Sequence, residues 1–476
     1  MKKITIWHTS DVHSRFEKFI KIASYVKQNR NAGCDLFLDA GDFADTLSVM
    51  VSGSKGRGAM RLAEAAGVDA MAVGNNEFLA GVESLRAMAS CRVPLLTCNL
   101  TGLDGSSVEG LRPYIILQRA GVRILIAGCC PFFWHVSFFT DNAGVKLLYP
   151  VEMIRGIIEK EKGNYDICIL LSHGGRKRDL EIAEKVEGID VIIGGHTHNV
   201  EKETETAFGK IIHQARCHAQ SLGKLELYLD DSLKIRDFRA EQITEDVQTE
   251  AELEEILMEE TRKAEEEYSK PLFTMSWDLS YDPFCECPAA NAVADSLYMQ
   301  YGGDLALINN GIINNGFSGE ISRMFLLNTS PSILNPTTVW WRGKSIRQAL
   351  LASFDRDFIS RDGKGPGSRF NVLGALAVSY NVRVEYCPSS EGAKDGRLEV
   401  TVSGEPLDDE RLYCVVADDY MYRGVVGYTM LKGSEKPEIY HKGYIRDMLE
   451  TTLQDPDIIR HAAEKRIKIA RRQENE

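Results

Sequence analysis

The chain has 476 residues, 44% hydrophobic and 26% charged, a globular composition that excludes disorder, collagen-like repeats and low-complexity polymers. At about 150 residues per domain the length allows two or three domains. The 56 basic and 69 acidic residues leave a net charge of −13, which argues against long nucleic acid as a partner while permitting a local metal-bearing cleft.

Met1-Lys2-Lys3 leads straight into an apolar strand pattern, without the long apolar core and small-residue cleavage site of a signal peptide. The most apolar stretch, residues 122–136, is broken by Arg123, Gly128, Pro131 and His135 and is too short to span a bilayer, so no membrane association is expected. Eleven cysteines without a CxxC pair point to reduced thiols and a cytoplasmic protein. Cys129-Cys130 and the Cys285/Cys287 pair read as ordinary buried cysteine, with a redox or metal role as the alternative.

Apolar runs at residues 4–8, 36–40, 70–73, 93–98, 123–128, 167–171 and 191–193 predict buried strands. Amphipathic helices are expected between several of them, at residues 16–30, 59–66 and 152–160. Strands alternating with helices define a layered α/β domain over residues 1–243. Residues 244–270 are dense in Glu and Lys, with Leu253, Ile256 and Leu257 at helical spacing, and predict a solvated connecting helix. A second α/β domain follows over residues 271–476. It has a helix at 289–301 and strands at 305–308, 339–341, 372–378, 382–386, 398–402 and 413–417. The basic stretch 460–472 predicts a surface helix, and the turn-rich residues 328–336 a loop.

Five short motifs stand just beyond apolar runs in the first half. They are Ser10-Asp11-Val12-His13, Gly41-Asp42, Gly74-Asn75-Asn76-Glu77, Ser172-His173-Gly174-Gly175 and Gly194-Gly195-His196-Thr197-His198. Strand ends are where an α/β sheet places its ligand site. Imidazole and carboxylate together suit Zn, Mn and Fe, and the absence of Cys from the set argues against a closed structural zinc site.

The order DxH, GD, GN, H, GHxH resembles that of the calcineurin-like metallophosphoesterases. The two-domain length and the second half are similar to the bacterial 5′-nucleotidase/2′,3′-cyclic nucleotide phosphodiesterase family, in its cytosolic YunD-type branch. The resemblance implies a four-layer β-sandwich flanked by helices, followed by an α/β 5′-nucleotidase-type domain. It implies two divalent metal ions drawn from Mn, Zn, Fe, Co and Mg. Asp11, His13 and His198 would hold one and Asn75, His173 and His196 the other, with Asp42 bridging both. A bridging hydroxide would then attack phosphorus in line with the ester, the metals absorbing transition-state charge.

One position departs from the family pattern. Active members read GNHE followed by an Asp, a dyad that helps the leaving alcohol depart; here Asn76 and Leu79 stand at those places. An amide donates hydrogen bonds but transfers no proton, and losing general-acid help costs on the order of 10²–10⁴ in rate. Three outcomes stay open: substrates with good leaving groups, replacement of the acid by Glu77, Asp45 or His135, or binding without useful turnover.

The family's second domain stacks a base between two aromatic rings. By resemblance the segment 367–374 offers Phe370, with Arg369 beside it, and the segment 422–428 offers Tyr428; core packing is the alternative for each ring. The family's NGGGIR signature becomes Asn309-Asn310-Gly311-Ile312-Ile313-Asn314-Asn315 and lacks its Arg, with Arg342, Arg369 and Arg423 as possible replacements. The expected activity is hydrolysis of nucleotides or related small phosphates, in nucleotide catabolism. The alternative is a nucleotide- or metal-binding protein with weak or no turnover.

Overall fold

The computed structural model describes residues 2–132, 143–198, 202–245, 247–363, 372–388 and 396–470. Contacts divide the chain into two units, Met1–Glu267 and Tyr268–Glu476.

Among the described residues, fourteen strands build the first unit: β1 (Lys2–Thr9), β2 (Asp35–Asp39), β3 (Ala70–Ala72), β4 (Leu95–Leu96), β5 (Leu100–Gly102), β6 (Tyr114–Arg119), β7 (Val122–Cys129), β8 (Val145–Leu147), β9 (Ile167–Ser172), β10 (Val191–Gly194), β11 (Thr204–Ala207), β12 (Lys210–His213), β13 (Leu222–Leu229) and β14 (Ile235–Ile243). Two six-stranded sheets result, in the orders β14-β13-β1-β2-β3-β4 and β11-β12-β10-β9-β7-β6.

Side chains alternate faces along a strand, and here both faces are apolar. Ile4, Ile6, Leu36 and Leu38 of one sheet meet Ile124, Ile126, Ile167, Ile169, Val191 and Ile193 of the other in the core between the sheets. Trp7 and Phe37 point the opposite way, onto the helix Phe16–Asn29. Leu125, Leu170 and Ile192 pack under the helices Pro150–Lys160 and Arg176–Lys185. The order is helix, sheet, sheet, helix, the four-layer sandwich expected from the resemblance. β1, β2, β3 and β4 run parallel, as do β7, β9, β10 and β12, so their C-terminal ends open on one rim within each sheet.

Residues 93–98 contribute only the two-residue β4. The Glu- and Lys-rich stretch forms the helix Ala251–Tyr268, but it is not the solvated connector expected. Leu253 is fully buried and Ala264 nearly so, in van der Waals contact with Gly53. Lys27 pairs with Glu252 at 2.9 Å, and Arg61 with Glu259 at 3.2 Å and with Glu260, so the charges flank an apolar stripe docked on the first unit.

The second unit adds β15 (Pro271–Leu279), β16 (Leu305–Asn309), β17 (Phe317–Ser322), β18 (Pro336–Arg342), β19 (Leu376–Val378), β20 (Val382–Cys387), β21 (Arg397–Val402), β22 (Glu405–Pro406), β23 (Leu412–Asp418), β24 (Ile439–Tyr440) and β25 (Ile467–Ile469). A sheet β19-β16-β23-β18-β24 packs against the helix Pro288–Tyr301, whose Ala-rich faces are buried, and a second sheet has the order β22-β21-β20-β25. Where a strand was expected over 372–378 only β19 forms, because Gly374 turns the chain at φ +79°. The expected tail helix is also corrected: helix Pro456–Ala462 stops and β25 pairs parallel to β20. Buried Arg466, bonded to Asp295 and to the Val378 carbonyl, ties the chain down at that point.

If the acidic helix belongs to the first unit's core, Leu253→Ala should destabilise that unit by about 2–5 kcal/mol in chemical denaturation. Met258→Ala, at a 71% exposed position of the same helix, should stay within about 0.5 kcal/mol of the parent.

Candidate metal centre

Five of the parallel strands deliver the five motifs. β1 ends at Thr9 ahead of Asp11 and His13, β2 at Asp39 ahead of Asp42, and β3 at Ala72 ahead of Asn75 and Asn76. In the facing sheet β9 ends at Ser172 before His173, and β10 at Gly194 before His196 and His198. The loops that follow are tight and strained. Of the twelve described non-glycine residues with positive φ, seven are Asp11, His13, Ser14, Asp42, His196, His218 and Ala219, all in these rim loops or the one after β12. Such strain persists where the surroundings over-determine it and commonly marks function. Gly74 lies so close that a Cβ there would come within 2.2 Å of Asp42 Oδ1, so only glycine lets these two loops meet.

Asp11 and Asp42 lie at the centre, both essentially without solvent exposure. His173 Nε2 is 3.3 Å from Asp42 Oδ2 and 3.8 Å from Asp11 Oδ1. His198 Nε2 is 3.4 Å from Asp11 Oδ1, and His13 Nε2 is 3.7 Å from Asp42 Oδ2 and 3.1 Å from His198 Nε2. Ligand atoms of Asp42, His173 and His196 lie within 4.8 Å of one another, as do those of Asp11, His13 and Asp42. Five of the seven expected ligands thus fall into two groups sharing Asp42, while His198 approaches Asp11 and His13, and Asn75 stands between Gly74 and Asn76, both of which lie against that carboxylate.

The donor set fits divalent cations. Burial opposes ionisation of Asp42, but the charge of His173 overrides it and holds the carboxyl far below the usual range. His173 responds reciprocally: burial disfavours its charge, yet Asp42 and Asp11 push its pKa up to about 10. A buried histidine neutralising two carboxylates marks a place that demands positive charge. Its Nδ1 donates to the Ala40 carbonyl at 2.7 Å, so Nε2 is turned to the carboxylates and has no hydrogen-bond partner. The buried Oδ1 of Asn75 likewise has none. Buried lone pairs left without donors are costly, and a metal ion removes that cost.

Asn76 does not occupy a free catalytic position. Its backbone N–H donates to Asp42 Oδ1 at 2.8 Å and its Nδ2 to Asp42 Oδ2 at 2.7 Å, so it clamps the shared carboxylate. Leu79, at the place of the dyad Asp, packs half-buried against the outer core. Of the replacement acids, Glu77 is fully committed. It accepts from the backbone N–H groups of Asp42, Ala44 and Gly74 at 2.8–3.0 Å. Burial, with the charge of Asp42 added, raises its pKa to about 7. Asp45 Oδ2 lies 3.5 Å from His13 Nδ1 and orients that ring. His135 lies outside the described residues.

One histidine was not anticipated. His218 follows β12, and a ring nitrogen of it stands within 4.8 Å of those of His13 and His198. The apolar pair Ile211-Ile212 marks a strand, and the logic that found the other motifs, extended one strand further, leads to this residue.

In the second unit, Arg369 and Phe370 lie outside the described residues. The stacking role expected of Tyr428 is corrected. Its ring is fully buried, set edge-on to Phe358 with centroids 5.0 Å apart, and its hydroxyl donates to the Gly374 carbonyl at 2.8 Å. No face of that ring is open to a base. Arg423 lies 3.4 Å from Asp419, and Arg342 pairs with Glu435 at 2.7 Å. A cavity of about 560 Å³ is lined by Ser360, Arg361, Asp362, Leu373 and the run 424–427.

Residues 4–200 match the family model described as Calcineurin-like phosphoesterase, and residues 271–433 the one described as 5′-nucleotidase, C-terminal domain. The chain is 26% identical to the Uncharacterized metallophosphoesterase YunD of Bacillus subtilis, covering 94% of this chain and 98% of that protein. It is 25% identical to the 5′-nucleotidase of Rattus norvegicus, covering 90% and 84% respectively. Among solved structures, the Haemophilus influenzae NAD nucleotidase (NadN) shares the fold with a TM-score of 0.65 at 17% identity, over 98% of this chain and 99% of that one. The 5′-nucleotidase precursor of Thermus thermophilus gives a TM-score of 0.56 at 19% identity, over 98% and 99%. The chain thus combines a calcineurin-like phosphoesterase domain with a 5′-nucleotidase C-terminal domain. It is accordingly a metal-dependent phosphoester hydrolase.

If Tyr428 is a core residue, Tyr428→Phe should cost about 1–3 kcal/mol by stranding the Gly374 carbonyl, and should leave KM for nucleotides unchanged. Thermal denaturation and steady-state kinetics read the two parts. Glu77→Ala should cost about 3 kcal/mol or more, because several buried amide donors lose one acceptor together.

Proposed function

We propose that this protein hydrolyses nucleotides or related small phosphate esters by direct attack of water on phosphorus, using two divalent cations drawn from Mn, Zn, Fe, Co and Mg. Asp11, His13 and His198 hold one cation, Asn75, His173 and His196 the other, and Asp42 is shared. The observation that carries this reading is the convergence of five loops on two buried carboxylates, with lone pairs on His173 Nε2 and Asn75 Oδ1 that no protein donor meets. A bound pair of divalent cations supplies Lewis acidity towards the phosphate oxygens and a water acidified towards neutrality.

The chain's own residues do the positioning. Asn76 holds both oxygens of Asp42, fixing the carboxylate that both cations share. Its Nδ2 also lies 3.4 Å from His13 Nδ1, so the amide stands between the shared carboxylate and a neighbouring ligand and transfers no proton. Glu77 fixes the loops carrying Asp42 and Gly74 through their backbone amides. Asp45 aligns His13, and the Ala40 carbonyl sets the tautomer of His173. With an amide in place of the imidazole acid, substrates with acidic leaving groups are favoured. The eleven free cysteines support a reducing, cytoplasmic setting, and no helix among the described residues is long and apolar enough to cross a membrane.

Asn76 also favours a second reading, a nucleotide- or metal-binding protein with negligible turnover. A hydrolysis screen of the metal-reconstituted protein separates the two. It should cover nucleoside monophosphates, cyclic phosphates, dinucleotides and nitrophenyl esters under each of the five metals. Turnover, fastest on the nitrophenyl ester, is expected; nucleotide binding without turnover supports the second reading. Asp42→Asn should remove both cations by metal analysis, whereas Asn76→Ala should keep them. Two ions retained after the Asp42 change would contradict the shared ligand. Asn76→His with Leu79→Asp should raise kcat on nucleoside monophosphates by about 10²–10⁴, the range of general-acid catalysis. The half-buried site of Leu79 makes the pair less stable than the parent.

A further inference from the structure

The seven-residue set leaves one imidazole at the rim unused. His218 stands in the loop after β12, which runs parallel to β10, so this loop emerges on the same rim as the one carrying His196 and His198. Its ring centroid is 5.3 Å from that of His13 and 5.3 Å from that of His198. Ligand nitrogens of the three rings lie mutually within 4.8 Å, close enough to share one ion. The backbone is held for the purpose: the His218 N–H donates to the Asp11 carbonyl at 2.6 Å, and His218 and Ala219 both take left-handed conformations, φ +58° and +50°. A β-strand continuation with ordinary φ would carry the ring away from the cleft. The loop instead folds back onto the DxH turn, whose Asp11 and His13 are themselves left-handed.

We propose that His218 is an additional ligand of the cation held by Asp11, His13 and His198, making that position a three-imidazole site. This rests on the dinuclear reading above and sharpens it. The two positions then differ in kind. One takes three ring nitrogens with the Asp11 and Asp42 carboxylates; the other takes two ring nitrogens with the Asn75 amide oxygen and Asp42. Nitrogen-rich coordination favours Fe, Co and Zn over Mg and Mn, so the three-imidazole position selects a borderline cation while the other tolerates a harder one. A mixed pair, rather than two identical ions, is the resting composition the ligand set prefers.

The test uses the full chain stripped by chelator and loaded with Zn²⁺ or Co²⁺ alone, comparing the parent with His218→Ala and His218→Gln. Calorimetric titration should give two ions in the parent. In both variants one of them should bind more than about 100-fold more weakly, beyond the 10–100-fold typical of losing an outer-shell partner. X-ray absorption of the Zn²⁺-loaded parent should count imidazoles from His13, His198, His218, His173 and His196, with one fewer in the variants. Competition between Zn²⁺ and Mn²⁺ should lose at least about tenfold of its Zn²⁺ preference at the weakened position. His218→Gln keeps the bulk and a hydrogen-bonding head group, so it reports on ligation if the alanine variant fails to fold. Two ions bound with parental affinity and an unchanged imidazole count would overturn the assignment of His218 and leave the dinuclear reading standing. A parent that binds no pair of ions would overturn both.

Discussion

Two carboxylates buried beside each other are the constraint around which the first unit is organised. Asp11 and Asp42 have almost no contact with solvent, and burial alone would force one of them to take up a proton. Instead, His173 Nε2 is set 3.3 Å from one and 3.8 Å from the other, and the loops are bent to keep the group together. Two buried anions repel at short range; divalent cations would let the carboxylates stay ionised and would satisfy the unpartnered Asn75 Oδ1 and His173 Nε2. The fold tolerates this arrangement because its sandwich is rigid elsewhere. The inter-sheet core of Ile, Leu and Val is buried on every side and fixes the strand ends from which the loops depart.

The replacement of an imidazole acid by Asn76 reads differently once its contacts are known. Both its backbone and its side-chain N–H groups are spent on Asp42, so the residue serves the shared carboxylate first. Leu79 belongs to an apolar surface and Glu77 to a backbone-binding network, which leaves neither as an acid. The chemistry that remains is electrostatic: orient the ester, absorb its charge and let the leaving group depart on its own acidity. A third imidazole at His218 would hold one cation more firmly in the cleft, securing the charge on which this chemistry depends.

The layered architecture was legible because short continuous apolar runs, separated by amphipathic helices, admit few alternatives. The five motifs were legible for a related reason, and the seven candidate ligands within them were implied by the family resemblance. A polar residue on a glycine turn beyond an apolar run has one structural place to go, the strand end. His218 escaped because β12 is only four residues long, Lys210–His213, and its apolar signal is a single Ile pair. Tyr428 was misread because an aromatic ring has the same sequence signature in a core as on a binding platform, and only packing against Phe358 and Gly374 distinguishes them. The acidic helix Ala251–Tyr268 hid a docking stripe of small and aliphatic residues beneath its charges.

The amino-acid sequence by itself determined the two-part organisation, the strand-end placement of Asp11, His13, Asp42, Asn75, His173, His196 and His198, and the loss of a proton-donating side chain at position 76. These depend on local pattern and residue chemistry, which travel with the chain. Only the tertiary structure decided which side chains meet across loops up to some two hundred residues apart, that Asn76 clamps Asp42, that Tyr428 is core and that His218 joins the cleft. Each of those turns on distances between segments remote in sequence, and such distances exist only once two sheets have packed face to face.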